Sequence, residues 1–296
     1  MHDYILSCCS TVDLTAKHLQ DRNVSWLPFH FFLDEKEYFD DMFTKTMTPE
    51  DFYTAMAKGA MTRTSQVNAT EYYDYFEKFV KEGKAIVHAT LSSGLSGSYN
   101  SANTAVSMLK EKYPTCEIYV IDTLCASSGF GLFVDMLADA RDNGMSAKEL
   151  YEYGENLKLH IHLDFYSTDL TYYVRGGRVS KAAGLIGGIL KICPVLDMNN
   201  EGKLIVRKKA RGKIKAAEEL LGQMLACADH GRDYDGKCFI SQSNFTEEAQ
   251  RLASMIENEF ERLKGKIKIF PIGPTIGSHT GGGTIALFYV GKERGE

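Results

Sequence analysis

Short apolar runs mark the first 125 residues of the chain. Residues 4–7 (YILS), 85–89 (AIVHA) and 118–121 (IYVI) are rich in β-branched or aromatic side chains and are bounded by polar or turn residues. Runs of this kind suit strands covered on both faces. Between them the period changes. Tyr72, Tyr73, Phe76, Phe79 and Val80 recur at helical spacing across 71–80, and Gly83 stops the pattern. Residues 101–111 and 129–141 also read as helices, the second ending near Gly144. Strand, helix, strand at this spacing predicts a parallel sheet of βαβ units.

The second half reads differently. Residues 195–197 and 204–207 flank Asn199-Asn200-Glu201-Gly202, a good hairpin turn. Residues 213–228 form a long amphipathic pattern. Residues 246–263 form another, with Asn244 expected as N-cap and Glu247 in the first turn. Residues 238–241 (CFIS), 266–272 and 285–290 read as strands. The expected class is α/β with two domains. Residues 1–160 form a Rossmann-like βαβ domain with a parallel sheet, and residues 161–296 an α+β domain, the change falling within 155–165. The last strand is a candidate to return to the first domain. Residues 28–62, aromatic and acidic, read as a flap or a hairpin excursion.

Composition narrows the class. The chain has 296 residues, 44% hydrophobic and 25% charged, as a globular protein does. A net charge of −5 supplies no long-range basic field for nucleic acid or anionic lipid, although a local basic patch is still allowed. The seven cysteines (Cys8, Cys9, Cys116, Cys125, Cys193, Cys227, Cys238) show no C-x-x-C spacing. They read as buried free thiols of a reducing cytoplasm. The opening MHDYILSCCSTVDL lacks the basic and apolar regions of a signal peptide. No apolar run approaches the ~20 residues of a membrane span. A soluble, cytoplasmic protein is the expectation.

Four segments place small or hydroxyl-bearing residues where a strand should end: Thr64-Ser65-Gln66, the serine turn 92–98 (SSGLSGS), Arg175-Gly176-Gly177-Arg178, and the segment 277–283 (GSHTGGG). A Ser/Gly turn between strand and helix exposes amides that suit a carboxylate or phosphate. In open α/β sheets, ligands bind at the carboxyl ends of strands. The same serines also serve as helix caps, and the same glycines as plain turns. Standard motifs are absent. There is no G-x-x-x-x-G-K-[ST], and Gly129-Phe130-Gly131 lacks the third glycine of a dinucleotide fingerprint. Gly94-Leu95-Ser96-Gly97 misses G-x-S-x-G by one residue. A serine esterase or thioesterase using Ser93 or Ser96 with His279 stays open as the alternative. His160 and His162, two apart without HExxH, do not suggest a metal. No metal or cofactor is expected.

In this order the segments resemble the DegV family, fatty-acid-binding proteins of which some are acyl-binding subunits of bacterial fatty-acid kinase. The resemblance starts at Ser10-Thr11-Val12-Asp13-Leu14 and includes Thr64-Ser65-Gln66, Ser92 to Tyr99 with Ser101-Ala102, and Val120-Ile121-Asp122-Thr123. It continues through Gly176-Gly177-Arg178-Val179-Ser180-Lys181 and residues 206–212 to Gly277-Ser278-His279-Thr280-Gly281. It implies a fatty acid in a tunnel between two α/β domains. It implies that hydroxyls among Thr64, Ser65, Ser92 and Ser93, with Thr64 and Ser93 favoured, hold the carboxylate beside His279. Arg178 and Arg211 match arginines around the head-group mouth or partner contact, with Ser278 and Thr280 beside them. It further implies an ATP-binding kinase subunit as partner, acyl phosphate destined for phospholipid metabolism, and transient membrane contact as an allowed step. On this reading the chain is not catalytic on its own. Residues 182–192 and 129–137 are candidates to line the tail. Two departures stand out: Cys8-Cys9-Ser10 where the family has Thr-Asp-Ser, and Gly281-Gly282-Gly283 where Gly-Pro-Gly is usual.

Overall fold

The computed structural model of the chain describes residues 4–180 and 192–295. β1 (Tyr4–Cys9) leads through α1 (Ala16–Asp21) to the short parallel strand β2 (Ser25–Leu27). The chain then leaves this sheet. β3 (His30–Leu33), β4 (Lys36–Phe39), α2 (Pro49–Ala57) and β5 (Thr62–Ser65) follow, the strands forming a separate antiparallel sheet in the order β4-β3-β5. Segment 28–62 is thus a hairpin plus a helix, with its own small core of Phe31, Phe52, Tyr53 and Met56. α3 (Ala69–Lys81) leads back to β6 (Ala85–Thr90), and α4 (Ser98–Lys112) leads on to β7 (Ile118–Asp122). The first sheet has the order β2-β1-β6-β7 and is parallel throughout.

Local chemistry explains these elements. An Asn68–Glu71 capping box opens α3, and the helix buries Tyr72, Tyr75 and Phe76. The rings of Tyr72 and Phe76 meet His88 of β6 edge-on at 5.3 and 5.1 Å. Cys9 lies 3.0 Å from the Tyr72 hydroxyl and 3.7 Å from His88 Nε2. Burial pushes its thiol up to about 12 and pulls His88 down to about 3. Both groups are neutral, and their cluster is sealed from solvent.

α5 (Ser127–Asp142) is buried on almost every side, because it touches β1 of the first sheet and three strands of the second. Two glycines make this possible. A Cβ at Gly131 would stand 2.5 Å from the Val12 carbonyl oxygen, and one at Gly129 would stand 2.5 Å from the Phe288 ring. α6 (Ala147–Leu157) then packs beside α5.

The second sheet starts with β8 (Ile161–Ser167), followed by α7 (Thr171–Arg175), β9 (Ile192–Met198), β10 (Leu204–Arg211) and α8 (Gly212–Cys227). β11 (Cys238–Gln242), α9 (Thr246–Glu259), β12 (Lys268–Pro271), α10 (Pro274–Thr280) and β13 (Thr284–Val290) complete it. The strand order is β10-β9-β8-β13-β11-β12, antiparallel except for the β11–β12 pair. Leu220 and Met224 of α8 and Leu252 and Ile256 of α9 fill a second core with Ile240, Leu287 and Tyr289 of the strands. The architecture is the expected α/β class, with a parallel first sheet and a mixed second one.

Some details differ from expectation. β13 does not return to the first sheet; it pairs with β8 and β11 inside the second. Asn244 does not cap α9. It takes a left-handed φ of 52°, and the Phe245 N–H donates to Gln242 Oε1 at 2.6 Å instead. The hairpin turn forms as predicted, with Asn199 Oδ1 accepting from the amides of Glu201 and Lys203. All seven cysteines are free, but Cys116 and Cys227 are only half-buried. No helix among the described residues is long and apolar enough to cross a membrane.

Candidate ligand-binding site

A cavity of about 350 Å³ lies where the carboxyl ends of the first sheet face the second. Its wall is mostly apolar. Strand alternation aims Leu163 and Phe165 of β8 and Ala286 and Phe288 of β13 into it, cross-strand partners in register. Phe29, Leu91, Leu95, Tyr173, Leu204, Ile272 and Ile276 close the remaining sides. Ser127, Thr275 and Thr284 also reach the wall, each engaged with protein groups.

Polar groups gather around Thr64, Ser65, Gln66, Ser96, Arg178, His279 and Thr280. β5 pairs with β3, so Thr62 and Thr64 point to one face of the small sheet, towards α10. The Thr62 hydroxyl donates to the Ser278 carbonyl at 3.1 Å, and Thr64 Oγ1 sits 2.8 Å from His279 Nε2. Burial pulls the His279 pKa down to about 3, and the nearby positive charges of Arg178 and Arg175 push the same way. The imidazole is therefore neutral at physiological pH. Its Nδ1 is buried and unpartnered among the described residues. It sits against Gly176, where a Cβ would come within 2.2 Å of Nδ1.

Arg178 brings a positive charge to this end. Its guanidinium donates to the carbonyls of Leu95 (3.0 and 3.2 Å) and Gly176 (2.6 Å). Burial lowers its pKa, and no carboxylate among the described residues pairs with it. A cation fixed by carbonyls beside a neutral histidine and several hydroxyls suits an anionic group.

The serine turn needs correction. Ser92 is fully buried, and its hydroxyl donates to the Gly202 carbonyl at 2.8 Å, away from the cavity. Ser93, favoured as carboxylate donor, is exposed and outside the wall, its amide donating to Asp122 Oδ1 at 3.0 Å. Ser96 is the serine of the turn that lines the cavity. The reason is geometric: the hairpin tip at Gly202 covers the start of the turn, so only its later residues reach the ligand space. Thr64, Ser65, Arg178, His279 and Thr280 are all in the wall. Ser278 is buried behind it, donating to the Pro274 carbonyl at 2.7 Å. Arg211 lies exposed at the end of β10 opposite Ile192, outside the wall. Gln66, quoted in the Thr64-Ser65-Gln66 segment but given no role from sequence, lines the cavity beside Ser96. Of the tail candidates, residues 129–137 are core of α5 and not wall, and 182–191 lie outside the described residues.

Nothing in the geometry supports the hydrolase alternative. A serine nucleophile needs a base that a third group orients. His279 gives Nε2 to Thr64, its Nδ1 meets no carboxylate among the described residues, and Ser93 faces solvent.

Fold and cavity together define a three-sheet α/β protein with a largely apolar pocket. The chain belongs to the DegV family, described as uncharacterised proteins, whose profile matches residues 9–292. A DegV domain-containing protein of Clostridium perfringens is 35% identical over 294 residues, covering 99% of each chain. One from Lactococcus lactis is 34% identical, covering 97% of each. Among solved structures, a DegV lipid-binding protein of Thermotoga maritima superposes with a TM-score of 0.81 at 25% identity, covering all of both chains. The fatty acid kinase (Fak) B3 protein of Streptococcus pneumoniae, loaded with linoleic acid, gives 0.82 at 24% identity over 99% of this chain and 100% of its own. Structural neighbours of this chain thus bind fatty acids.

Proposed function

We propose that the chain binds one long-chain fatty acid, with its tail in the apolar cavity and its carboxylate at Thr64, Ser65, Ser96, Arg178 and His279. The carrying observation is the pairing of an apolar slot with one end rich in neutral donors. Burying a CH₂ is worth about 0.8 kcal/mol, so a 16-carbon tail contributes on the order of 12 kcal/mol gross. Ordering tail and protein offsets much of that. A membrane offers the tail the same gain, so the head-group contacts decide the competition. A carboxylate buried without donors would cost too much. Three hydroxyls and an imidazole supply them.

The same arrangement fits presentation of the acid to an ATP-binding kinase subunit. This chain has no P-loop motif, so the nucleotide would come from the partner. A carboxylate oxygen would attack the γ-phosphorus, expelling ADP and leaving an acyl phosphate. Neutral donors leave that oxygen free, whereas a bidentate arginine clamp would mask it. The carbonyls of Leu95 and Gly176 hold the Arg178 guanidinium back from such a clamp. The likeness to the pneumococcal B3 protein supports this narrower reading. The reading needs no cofactor in this chain.

Native mass spectrometry of the purified protein, repeated after denaturing extraction, tests the binding. A stoichiometric fatty acid, released on unfolding and attached to no serine, is expected. An empty protein that also ignores added palmitate and oleate would overturn the proposal. For the kinase step, a fatty-acid kinase subunit and ATP should give hydroxylamine-trappable acyl phosphate only when this chain is present.

A further inference from the structure

Two buried carboxylates stand behind the cavity wall, with no part in holding the ligand. Asp13 follows β1 in a left-handed conformation, φ 46°, and Asp40 follows β4. They converge on one residue of the second half. A Cβ built on Gly273 would lie 2.7 Å from Asp13 Oδ1 and 3.8 Å from Asp40 Oδ2.

Their hydrogen-bond partners are neutral. Asp13 Oδ1 accepts from the Gly273 N–H at 2.9 Å, and Oδ2 from the Ser127 hydroxyl at 2.5 Å. Asp40 Oδ2 accepts from the Thr275 hydroxyl at 2.6 Å and from its amide at 3.4 Å, and Oδ1 accepts from the Met42 amide at 3.1 Å. Among the described residues no cation pairs with either. Burial raises the pKa of both, and the nearby Asp40 pushes Asp13 the same way. Two uncompensated acids in a core are unfavourable for stability alone.

What they hold is the first turn of α10. That helix opens at Gly273, and its first amides have no partner within the helix. Asp13 takes the amide of 273 and Asp40 that of 275. The helix is also pressed onto α2: a Cβ at Gly277 would come within 2.6 Å of the Tyr53 hydroxyl, which itself donates to the Ile272 carbonyl at 2.8 Å. Ile276, His279 and Thr280, on the same short helix, line the cavity.

We infer that Asp13 and Asp40 are positioning residues for His279, pinning the start of α10 so that the imidazole meets Thr64 at the head-group end of the cavity. The inference rests on the head-group reading above, but its first readout does not need a ligand. That readout is the ¹⁵N and ¹H resonances of the His279 imidazole, assigned with a His279→Gln variant and recorded well below each variant's Tm. The second is palmitate affinity. In Asp13→Ala and Asp40→Ala the His279 resonances should move, and affinity should fall about tenfold, the loss of one buried hydrogen bond. Asp13→Asn and Asp40→Asn keep an acceptor oxygen and should retain the wild-type resonances. Thr275→Val, which removes a donor to Asp40 without a cavity, should act like Asp40→Ala and stands in if an aspartate variant does not fold. Alanine variants, or Thr275→Val, that melt earlier but leave the His279 resonances unmoved would overturn the inference. Moved resonances with unchanged palmitate affinity would uphold it and instead sink the head-group role of His279.

Discussion

The Ser92 hydroxyl donates to the Gly202 carbonyl, 2.8 Å away across 110 residues of chain. This bond ties the turn after β6 to the tip of the β9–β10 hairpin. It divides one run of serines into two tasks. Ser92 fastens the halves of the molecule together, and Ser96 faces the cavity. Ser96→Ala should therefore weaken palmitate binding by roughly 1–2 kcal/mol. Ser93→Ala should bind like wild type. Displacement of a fluorescent fatty acid measures both, and the reverse ranking would refute the placement.

The same fastening predicts a stability effect. A Cβ at Gly94 would stand 2.5 Å from the Gly202 carbonyl oxygen, a backbone atom that cannot step aside cheaply. Gly94→Ala should cost about 1–3 kcal/mol in urea denaturation. An unchanged midpoint would mean that turn and hairpin are not in contact in solution.

Gly176 makes a sharper test of the head-group end. Its φ of −75° is open to any residue, so backbone strain plays no part. Its added Cβ would displace His279 Nδ1 and break the Thr64 contact. Gly176→Ala should lower fatty-acid affinity while leaving the thermal midpoint within a few degrees of wild type.

Acid should destabilise the fold through its histidines. Burial lowers both His88 and His279 to about 3. The unfolded chain thus binds protons that the folded one refuses between an ordinary value near 6.5 and about 3. Their contribution is fully present above that window and is lost as pH falls through it. Each histidine adds a slope of about 1.4 kcal/mol per pH unit. Denaturation midpoints at neutral and acid pH should show His279→Gln with about one proton less of pH dependence. Equal slopes would mean that His279 is solvated.

Asp135 sits at the centre of a buried ionic cluster. Its carboxylate on α5 is almost wholly buried and meets His18 at 2.8 Å, Arg22 at 3.1 Å and Lys237 at 2.5 Å. Those bonds outweigh its burial and hold its pKa below the usual carboxylate range. Asp135→Asn leaves Arg22 and Lys237 only the half-exposed Asp139 and Asp142 as partners, and should cost about 3–5 kcal/mol by urea denaturation. A loss under 1 kcal/mol, the surface-pair range, would contradict a buried triad.

Much of the fold was legible wherever burial followed hydrophobicity. β6 and β7 are apolar runs covered on both sides, and α3 announces itself by its aromatic stripe and the Gly83 stop. β8 was hidden because its buried face includes His162 and Asp164. Their partners, the Lys292 carbonyl, Arg207 and Tyr289, come from distant segments, and no local pattern encodes them. The candidate site shows the same division. Thr64 and His279 stand 215 residues apart, and their convergence was legible only through the order of motifs shared with a family. That Ser96, and not Ser92 or Ser93, lines the cavity was not legible, because nothing near these serines reveals that the hairpin tip folds over the turn. Asp40 sat in the aromatic and acidic segment read as a flap or hairpin excursion, yet it ends buried against the start of α10.

The position of β13 has a consequence for how the molecule is made. It lies between β8 and β11, and both precede it in the chain. During synthesis the long edge of β8 waits, unpaired and apolar, until residues 284–290 have emerged. Exposed strand edges of this kind invite pairing with other chains. The nascent protein should depend on holding chaperones for longer than the early completion of its parallel sheet would suggest. A chain stalled before β13 should be markedly more prone to aggregate than one stalled just after it.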